Sequence, residues 1–448
     1  MQHYPNIVIG FGKAGKTLAK FLATQGQEVL VIEQSNQMYG GTCINIACLP
    51  SKRLVIAAHN GVPFPDAIAG KTEMTSQLRN KNYHMLADEP TITILDGHAE
   101  FIADHELAVT TTSGEVINVA GERIFINTGA ITRVPAEIPG IADSPFLLTS
   151  TTLMEQTELP QELVILGGGY IGLEIASMMN QFGAHVTVLD RNDQFLRRED
   201  DDVAQALYDD LVADGIDFKL GVTINQVINH ADQAEIEYTD HGTTTSITAD
   251  KFVVAMGRTP NTMELGLANT NIQVNDRQAI VVNEHLQTSV DNVWAMGDVT
   301  GGLQFTYISL DDFRIVKDQL FGAGARTTTN RPAVPTSVFT QTPLTNVGLT
   351  EKEAHAQGID YLLFKLPVMA IPKAKVIGNQ RGLYKALVNP TDHTILGATL
   401  YGEESFEMIN LLTTAINNHL PYETLRDQIY THPTMTEALN DLFKAPLH

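Results

Sequence analysis

Residues 7–33 read IVIGFGKAGKTLAKFLATQGQEVLVIE, and the order of their parts decides the fold. The apolar run Ile7-Val8-Ile9 leads into Gly10-Phe11-Gly12-Lys13-Ala14-Gly15. A helical pattern follows through Leu18, Phe21 and Leu22. A second apolar run, Val29-Leu30-Val31-Ile32, ends at Glu33. Strand, glycine-rich turn, helix, strand and acid form the dinucleotide-binding fingerprint in its required context. Gly10 and Gly12 let the backbone turn tightly and approach a pyrophosphate at the helix N-terminus, and Gly15 completes the motif. Glu33, 18 residues after Gly15, is placed to accept hydrogen bonds from a ribose diol.

The pattern recurs. Leu163-Val164-Ile165-Leu166 precedes Gly167-Gly168-Gly169-Tyr170-Ile171-Gly172, and Val186-Thr187-Val188-Leu189 ends at Asp190. Gly10, Gly12, Gly15 and Glu33 correspond to Gly167, Gly169, Gly172 and Asp190, each pair 157 residues apart. A common displacement at four positions marks two nucleotide-binding units, not two unrelated glycine turns. Two such units suggest two redox carriers, a flavin and a nicotinamide, with a dithiol beyond them.

The only cysteines are Cys43 and Cys48, in Gly40-Gly41-Thr42-Cys43-Ile44-Asn45-Ile46-Ala47-Cys48-Leu49-Pro50-Ser51-Lys52, directly after the first unit. On a regular helix, residues five apart differ by roughly 140° around the axis and about 7.5 Å along it. A disulfide wants Cα atoms within about 7 Å, so the segment must be distorted if the pair bridges. A loop this short constrains the unfolded chain little, which favours redox chemistry over stabilisation. Buried inert thiols and metal binding are the alternatives. A structural zinc site wants four ligands, and no second cysteine pair exists to supply them.

Composition bounds the rest. At about 150 residues per domain, 448 residues suggest about three domains. The chain is 43% hydrophobic and 18% charged, an ordinary globular balance. With 29 basic against 52 acidic residues the net charge is −23, which argues against binding to nucleic-acid backbones or anionic membranes. No run of 18 apolar residues suggests a membrane span, and Met1-Gln2-His3-Tyr4-Pro5-Asn6 lacks the basic start of a signal peptide. A cytoplasmic protein is expected, its first strand opening near Ile7.

GGTCINIACLPSK resembles the active-site stretch of the class I pyridine nucleotide–disulfide oxidoreductases, which include lipoamide dehydrogenase, glutathione reductase and mercuric reductase. The resemblance runs through the whole chain. Ile126-Asn127-Thr128-Gly129 and Ala255-Met256-Gly257-Arg258-Thr259-Pro260-Asn261 resemble the family's two glycine turns between domains. Val293-Trp294-Ala295-Met296-Gly297-Asp298 is similar to the second flavin motif, whose aspartate binds the ribitol. Val334-Pro335-Thr336-Ser337-Val338-Phe339 resembles the opening of the interface domain, and Thr431-His432-Pro433-Thr434-Met435-Thr436-Glu437 the His–Glu catalytic pair. Phe11–Thr17, Glu33–Tyr39 and Gly301–Asp312 resemble a bacterial reactive-chlorine-resistance branch, associated with reduction of hypothiocyanous acid and of copper(II).

The resemblance implies an α/β fold with two Rossmann-like domains and a C-terminal α+β dimerisation domain. It divides the chain into an FAD domain at 1–148 and 277–331, an NAD(P)H domain at 149–276 and an interface domain at 332–448. FAD would be held by Gly10, Gly12, Gly15, Glu33, Gly41, Thr42, Lys52, Thr128, Gly129 and Asp298. The nicotinamide cofactor would be held by Gly167, Gly169, Gly172, Asp190, Arg191 and Gly257. Asp190 favours NADH, whereas Arg191, Arg197 and Arg198 keep NADPH open. By the same resemblance Cys43 and Cys48 form the redox disulfide, Cys48 on the flavin side and Cys43 outermost. Lys52, paired with Glu174, would stabilise negative charge on reduced flavin. His432, oriented by Glu437, would act as acid–base at the thiols of the other subunit of a homodimer. The family often has a second histidine where this chain has Tyr430, which bears on bulky disulfide substrates. A small oxidant, hypothiocyanous acid, is the favoured substrate. Dihydrolipoamide oxidation and copper(II) or mercury(II) reduction are the rivals. Retention of both cysteines, Lys52, His432 and Glu437 argues against a non-catalytic flavin-binding scaffold.

Overall fold

The computed structural model describes residues 1–447. Both fingerprint runs form strands buried along their apolar lengths, as continuous Val, Ile and Leu runs do at the centre of a parallel sheet. In the first unit, Gln2–Ile9 lies between Val29–Glu33 and Val116–Ile126, parallel to both. The strand begins at Gln2, ahead of the expected Ile7, because Val116–Ile126 is long enough to pair its register from Gln2↔Val119 to Ile9↔Ile126. Ile92–Ala103 extends this sheet beyond Val29–Glu33. Val293–Ala295 pairs in parallel with Ile124, Phe125 and Ile126, so residues on either side of the second unit share one sheet.

The second unit is an all-parallel sheet in the order Asp217–Leu220, His185–Asp190, Glu162–Leu166, Lys251–Val254 and Leu147–Leu148. An antiparallel meander, Thr223–Asn229, Ala234–Asp240 and Thr243–Ala249, is appended to it. The segments that cross between the units pair with each other, Ala130–Thr132 antiparallel to Arg258–Pro260. The C-terminal part is a five-stranded antiparallel sheet covered by the helix Ser405–Asn417. Together these elements make the expected mixed α/β fold.

The C-terminal sheet is fixed to the second unit by charge. Lys385 is fully buried on Leu383–Val388, and its Nζ lies 2.8 Å from both Asp200 and Asp202 and also contacts Glu351. A buried ammonium is tolerable only with such partners. These three acids are the one grouping among the described residues arranged like cation ligands, and Lys385 already supplies their cation. No helix among the described residues is long and apolar enough to cross a membrane.

Candidate active site

The two glycine turns make the same bonds to their next strand and acid. Gly10 and Gly167 have φ of 97° and 110°, a region that favours glycine. Each donates its N–H over 2.8 Å to the neighbouring strand, Gly10 to Ile32 and Gly167 to Leu189. Phe11 N–H donates to Glu33 Oε2 at 2.9 Å, and Gly168 N–H to Asp190 Oδ2 at 3.0 Å. A Cβ on Gly10 would lie 2.5 Å from the Asn127 carbonyl oxygen, and one on Gly167 would lie 2.6 Å from that of Ala255. Gly15 and Gly172 sit under the first glycine of their own turn, where a Cβ would approach its carbonyl oxygen to 2.8 and 2.1 Å. Gly12 and Gly169 precede the helices Lys13–Thr24 and Tyr170–Phe182 in extended conformation, with no side chain of their own at the helix N-termini.

From the first turn a cavity of about 1160 Å³ runs inward. Gly10, Gly12, Glu33, Gly41, Thr42, Thr128, Gly129 and Asp298 line it, and so do Cys43, Cys48, Lys52 and Glu174. Gly41 has φ of 79°, and a Cβ there would stand 2.6 Å from Gly12 Cα. Among the described residues no donor reaches the Asp298 carboxylate, which burial pushes above the usual carboxylate range despite Arg258 nearby. An acceptor facing a glycine-walled cavity suits a polyol such as the ribitol of FAD. Gly167, Gly169, Gly172, Asp190, Arg191 and Gly257 lie outside this cavity, around the second turn. Asp190 Oδ1 takes the N–H and Nδ2 of Asn192, both at 2.9 Å, and Arg191, Arg197 and Arg198 are exposed.

The cysteine segment is broken, as a close pair five residues apart requires. Thr42–Asn45 and Cys48–His59 are separate helices, with Ile46 and Ala47 both at φ −139° between them. The thiols are close enough to shift each other's proton affinity and are not joined. Cys48, open to the cavity, is drawn down to about 6 by the Cys43 hydrogen bond, the Thr306 hydroxyl 3.8 Å away and the Lys52 charge. Cys43 is pushed up, first by its hydrogen bond to Cys48 and then by burial. The first thiolate of the pair therefore belongs to Cys48.

Lys52 follows Cys48 by one helical turn, and its Nζ is 2.5 Å from Glu174 Oε2 and 4.8 Å from the centre of the Phe339 ring. His432 Nδ1 lies 2.8 Å from Glu437 Oε2, and Glu437 also accepts the Thr434 N–H at 3.1 Å. The His432 bond holds the Glu437 carboxyl below its ordinary range. His432 is well exposed, and neither it nor Glu437 lines the cavity with the cysteines. Tyr430 turns inward, donating its hydroxyl to the Leu425 carbonyl at 3.0 Å.

Sequence reading passed over several supports. Asn127 accepts the Gly15 N–H at 2.9 Å and donates to the Met296 carbonyl at 2.6 Å, tying the first turn to the strand before Asp298. Asp312 accepts the Gly297 N–H at 2.6 Å and pairs with Arg331. Arg258 is half-buried on the cavity wall with its Nε unpartnered. Asn127 and Arg258 stand inside quoted motifs, so adjacency to the glycines was the available signal.

Comparison with known proteins agrees with this geometry. The profile of the pyridine nucleotide-disulphide oxidoreductases matches residues 4–312, and that of their dimerisation domain matches residues 334–443. The chain is 50% identical over 443 residues to the pyridine nucleotide-disulfide oxidoreductase RclA of Escherichia coli K12, covering 99% of both chains. It is 32% identical to mercuric reductase of Staphylococcus aureus, covering 97% of this chain and 81% of that one. The solved Cu(II) complex of the HOCl-induced flavoprotein disulfide reductase RclA from Escherichia coli superposes with a TM-score of 0.95 at 49% identity, covering 99% of each chain. The chain belongs to the pyridine nucleotide-disulphide oxidoreductase family, enzymes that depend on FAD and a pyridine nucleotide.

Proposed function

We propose that this enzyme passes electrons from a reduced nicotinamide, through FAD and the Cys43–Cys48 pair, to hypothiocyanous acid, yielding thiocyanate in oxidative-stress defence. One observation carries the reading: two free thiols five residues apart share a glycine-walled cavity with a dinucleotide turn. Gly10, Gly12, Glu33, Gly41, Thr42, Thr128, Gly129 and Asp298 would hold FAD, with Gly15 closing the turn behind it. Bound FAD supplies two-electron transfer between the nicotinamide and the dithiol. Residues 1–148 and 277–331 form the FAD domain in this reading, 149–276 the nicotinamide domain, and 332–448 the dimer interface. The enzyme works as a cytoplasmic homodimer, with NADH favoured by Asp190.

The dithiol half-reaction follows from the residues. His432 of the partner subunit takes the Cys43 proton. The Cys43 thiolate attacks the sulfur of hypothiocyanous acid; a sulfur–sulfur bond forms and the sulfur–oxygen bond breaks. The leaving hydroxide receives the proton from His432 of the partner subunit and departs as water. Cys48, already a thiolate near neutral pH, attacks Cys43 Sγ and expels thiocyanate, leaving the Cys43–Cys48 disulfide. The two thiols lose two electrons and the oxidant gains them. Lys52 places positive charge on the flavin side of Cys48.

The HOCl-induced relative supports an oxidative-stress role. A small electrophilic sulfur needs little binding surface, whereas a peptide disulfide needs anchors to reach attack geometry. Steady-state turnover with NADH and hypothiocyanous acid, glutathione disulfide or lipoamide tests the reading. The specificity constant is expected to be far higher for hypothiocyanous acid; a higher value for lipoamide assigns the chain to dihydrolipoamide oxidation. The Cu(II)-bound relative supports copper(II) reduction as a second reading, tested by the same assay with copper(II) as acceptor.

A further inference from the structure

We propose that Lys16 is an electrostatic positioning residue for the outer thiol, holding a buried positive charge behind the Gly40–Gly41 turn that stabilises the Cys43 thiolate. Lys16 lies on the helix Lys13–Thr24 and is 5% exposed. Its Nζ donates to the Gly40 carbonyl at 3.1 Å and to Asn82 Oδ1 at 2.5 Å. Gly40 is three residues before Cys43, and Gly41 caps the short helix that carries that cysteine. Both acceptors are neutral. Among the described residues no carboxylate pairs with Lys16, in contrast to buried Lys385 with its three acids.

A buried cation without an acid is costly, and its charge acts over short range with little screening. Lys13, three residues earlier, lines the cavity; Lys16 does not, so its charge lies behind the wall and not in the cofactor cradle. The Thr306 hydroxyl and the Lys16 charge draw Cys43 down against Cys48 and burial, while Lys52 and Glu174 act on Cys48. The charges felt by Lys16 are those of Lys13 and Cys43. Burial and Lys13 draw Lys16 down to about 8, so its charge is still present at neutral pH and fades only as pH rises through that value. When Cys48 is replaced, the strongest influence raising Cys43 disappears; burial still raises it, and Thr306 and Lys16 still draw it down.

The proposal rests on Cys43 being the thiol that meets substrate. In Cys48→Ser holoenzyme, Cys43 is the sole cysteine, and its alkylation by iodoacetamide across pH reports its thiolate. An apparent pKa below the roughly 8.5 of a free cysteine is expected, and a value at or above it overturns the proposal even if no Lys16 variant folds. Adding Lys16→Met should raise the apparent pKa by about one unit and slow alkylation at pH 7 about tenfold, with FAD content retained. Lys16→Arg should restore the profile. Superimposable profiles for Lys16 and Lys16→Met refute the role of Lys16 alone. Cys43 that resists alkylation at every pH, with or without Lys16, refutes the assignment of Cys43 as the outer thiol, and the proposal with it.

Discussion

Lys52 Nζ lies 2.5 Å from Glu174 Oε2, an ion pair that joins the helix of Cys48 to the second unit's helix Tyr170–Phe182. The other carboxylate oxygen of Glu174 accepts the Phe339 N–H at 2.9 Å, from the start of the C-terminal part. One side chain thus ties three parts of the chain together beside the thiols. Neither partner is free in solution, their side chains being 26% and 14% exposed.

That double duty can be separated. Glu174→Gln keeps an acceptor for Phe339 but loses the charge opposite Lys52; Glu174→Ala loses both. Removing a partner from a mostly buried polar contact costs about 1–3 kcal/mol. Urea unfolding of the holoenzyme should show Glu174→Ala destabilised by about that amount, and Glu174→Gln by clearly less. Equal losses would mean that the Phe339 bond contributes nothing.

The two thiols should differ spectroscopically. Cys43→Ser leaves the Cys48 thiolate on the cavity side, where it should give a long-wavelength charge-transfer band with oxidised flavin. The Cys48 value of about 6 is depressed from that of a free thiol, so the thiolate is present above about pH 6 and lost as pH falls through it. The Cys43→Ser midpoint should lie somewhat higher, because a serine hydroxyl is only a partial substitute for the Cys43 hydrogen bond. Absorbance titration of both variants checks this. A band in Cys48→Ser alone reverses the assignment, and neither variant should turn over.

The displacement of 157 residues survives from sequence down to individual hydrogen bonds, because each turn is stabilised by its own next strand and acid. It fails one strand later. The carbonyls facing Gly10 and Gly167 belong to Asn127 and Ala255, only 128 apart, since the helix Phe64–Ala87 lengthens the first unit. Local patterns were therefore legible, whereas contacts closed by the whole chain were not readable from local pattern, and the Lys52–Glu174 pair was named only by resemblance. Lys16 shows the difference. In sequence it is one of several lysines at a helix start, yet it shares a helical face with buried Ala19 and Ala23, and only packing against Gly40 and Asn82 gives it a role. The paired folding of the cysteine segment was foreseen conditionally, from helix geometry.

Cofactor choice turns on Asp190. Its two oxygens already hold the N–H groups of Gly168 and Asn192, which fixes a negative charge where an adenine ribose would lie. That carboxylate accepts a diol and repels a 2′-phosphate. NADH should therefore show the higher kcat/KM. Asp190→Ser should narrow the ratio by improving NADPH, with Arg191, Arg197 and Arg198 free to meet the phosphate. Steady-state kinetics with both nucleotides checks it; a wild-type preference for NADPH shows that the arginines prevail.

The last prediction concerns the shared site. His432 and Glu437 are hydrogen-bonded to each other, the histidine exposed and the glutamate partly buried, and neither borders the cavity of their own chain's cysteines. The dimerisation-domain match over residues 334–443 includes both. If the histidine of one subunit serves the thiols of the other, Cys43→Ser and His432→Ala homodimers are each inactive for different reasons. A hybrid dimer then contains one site with both defects and one with neither. Mixing the two variants, with subunit exchange verified by differently tagged chains, should restore up to about half of wild-type activity per hybrid, because one of its two sites is intact. Verified hybrids without rescue would show that His432 serves its own chain or none.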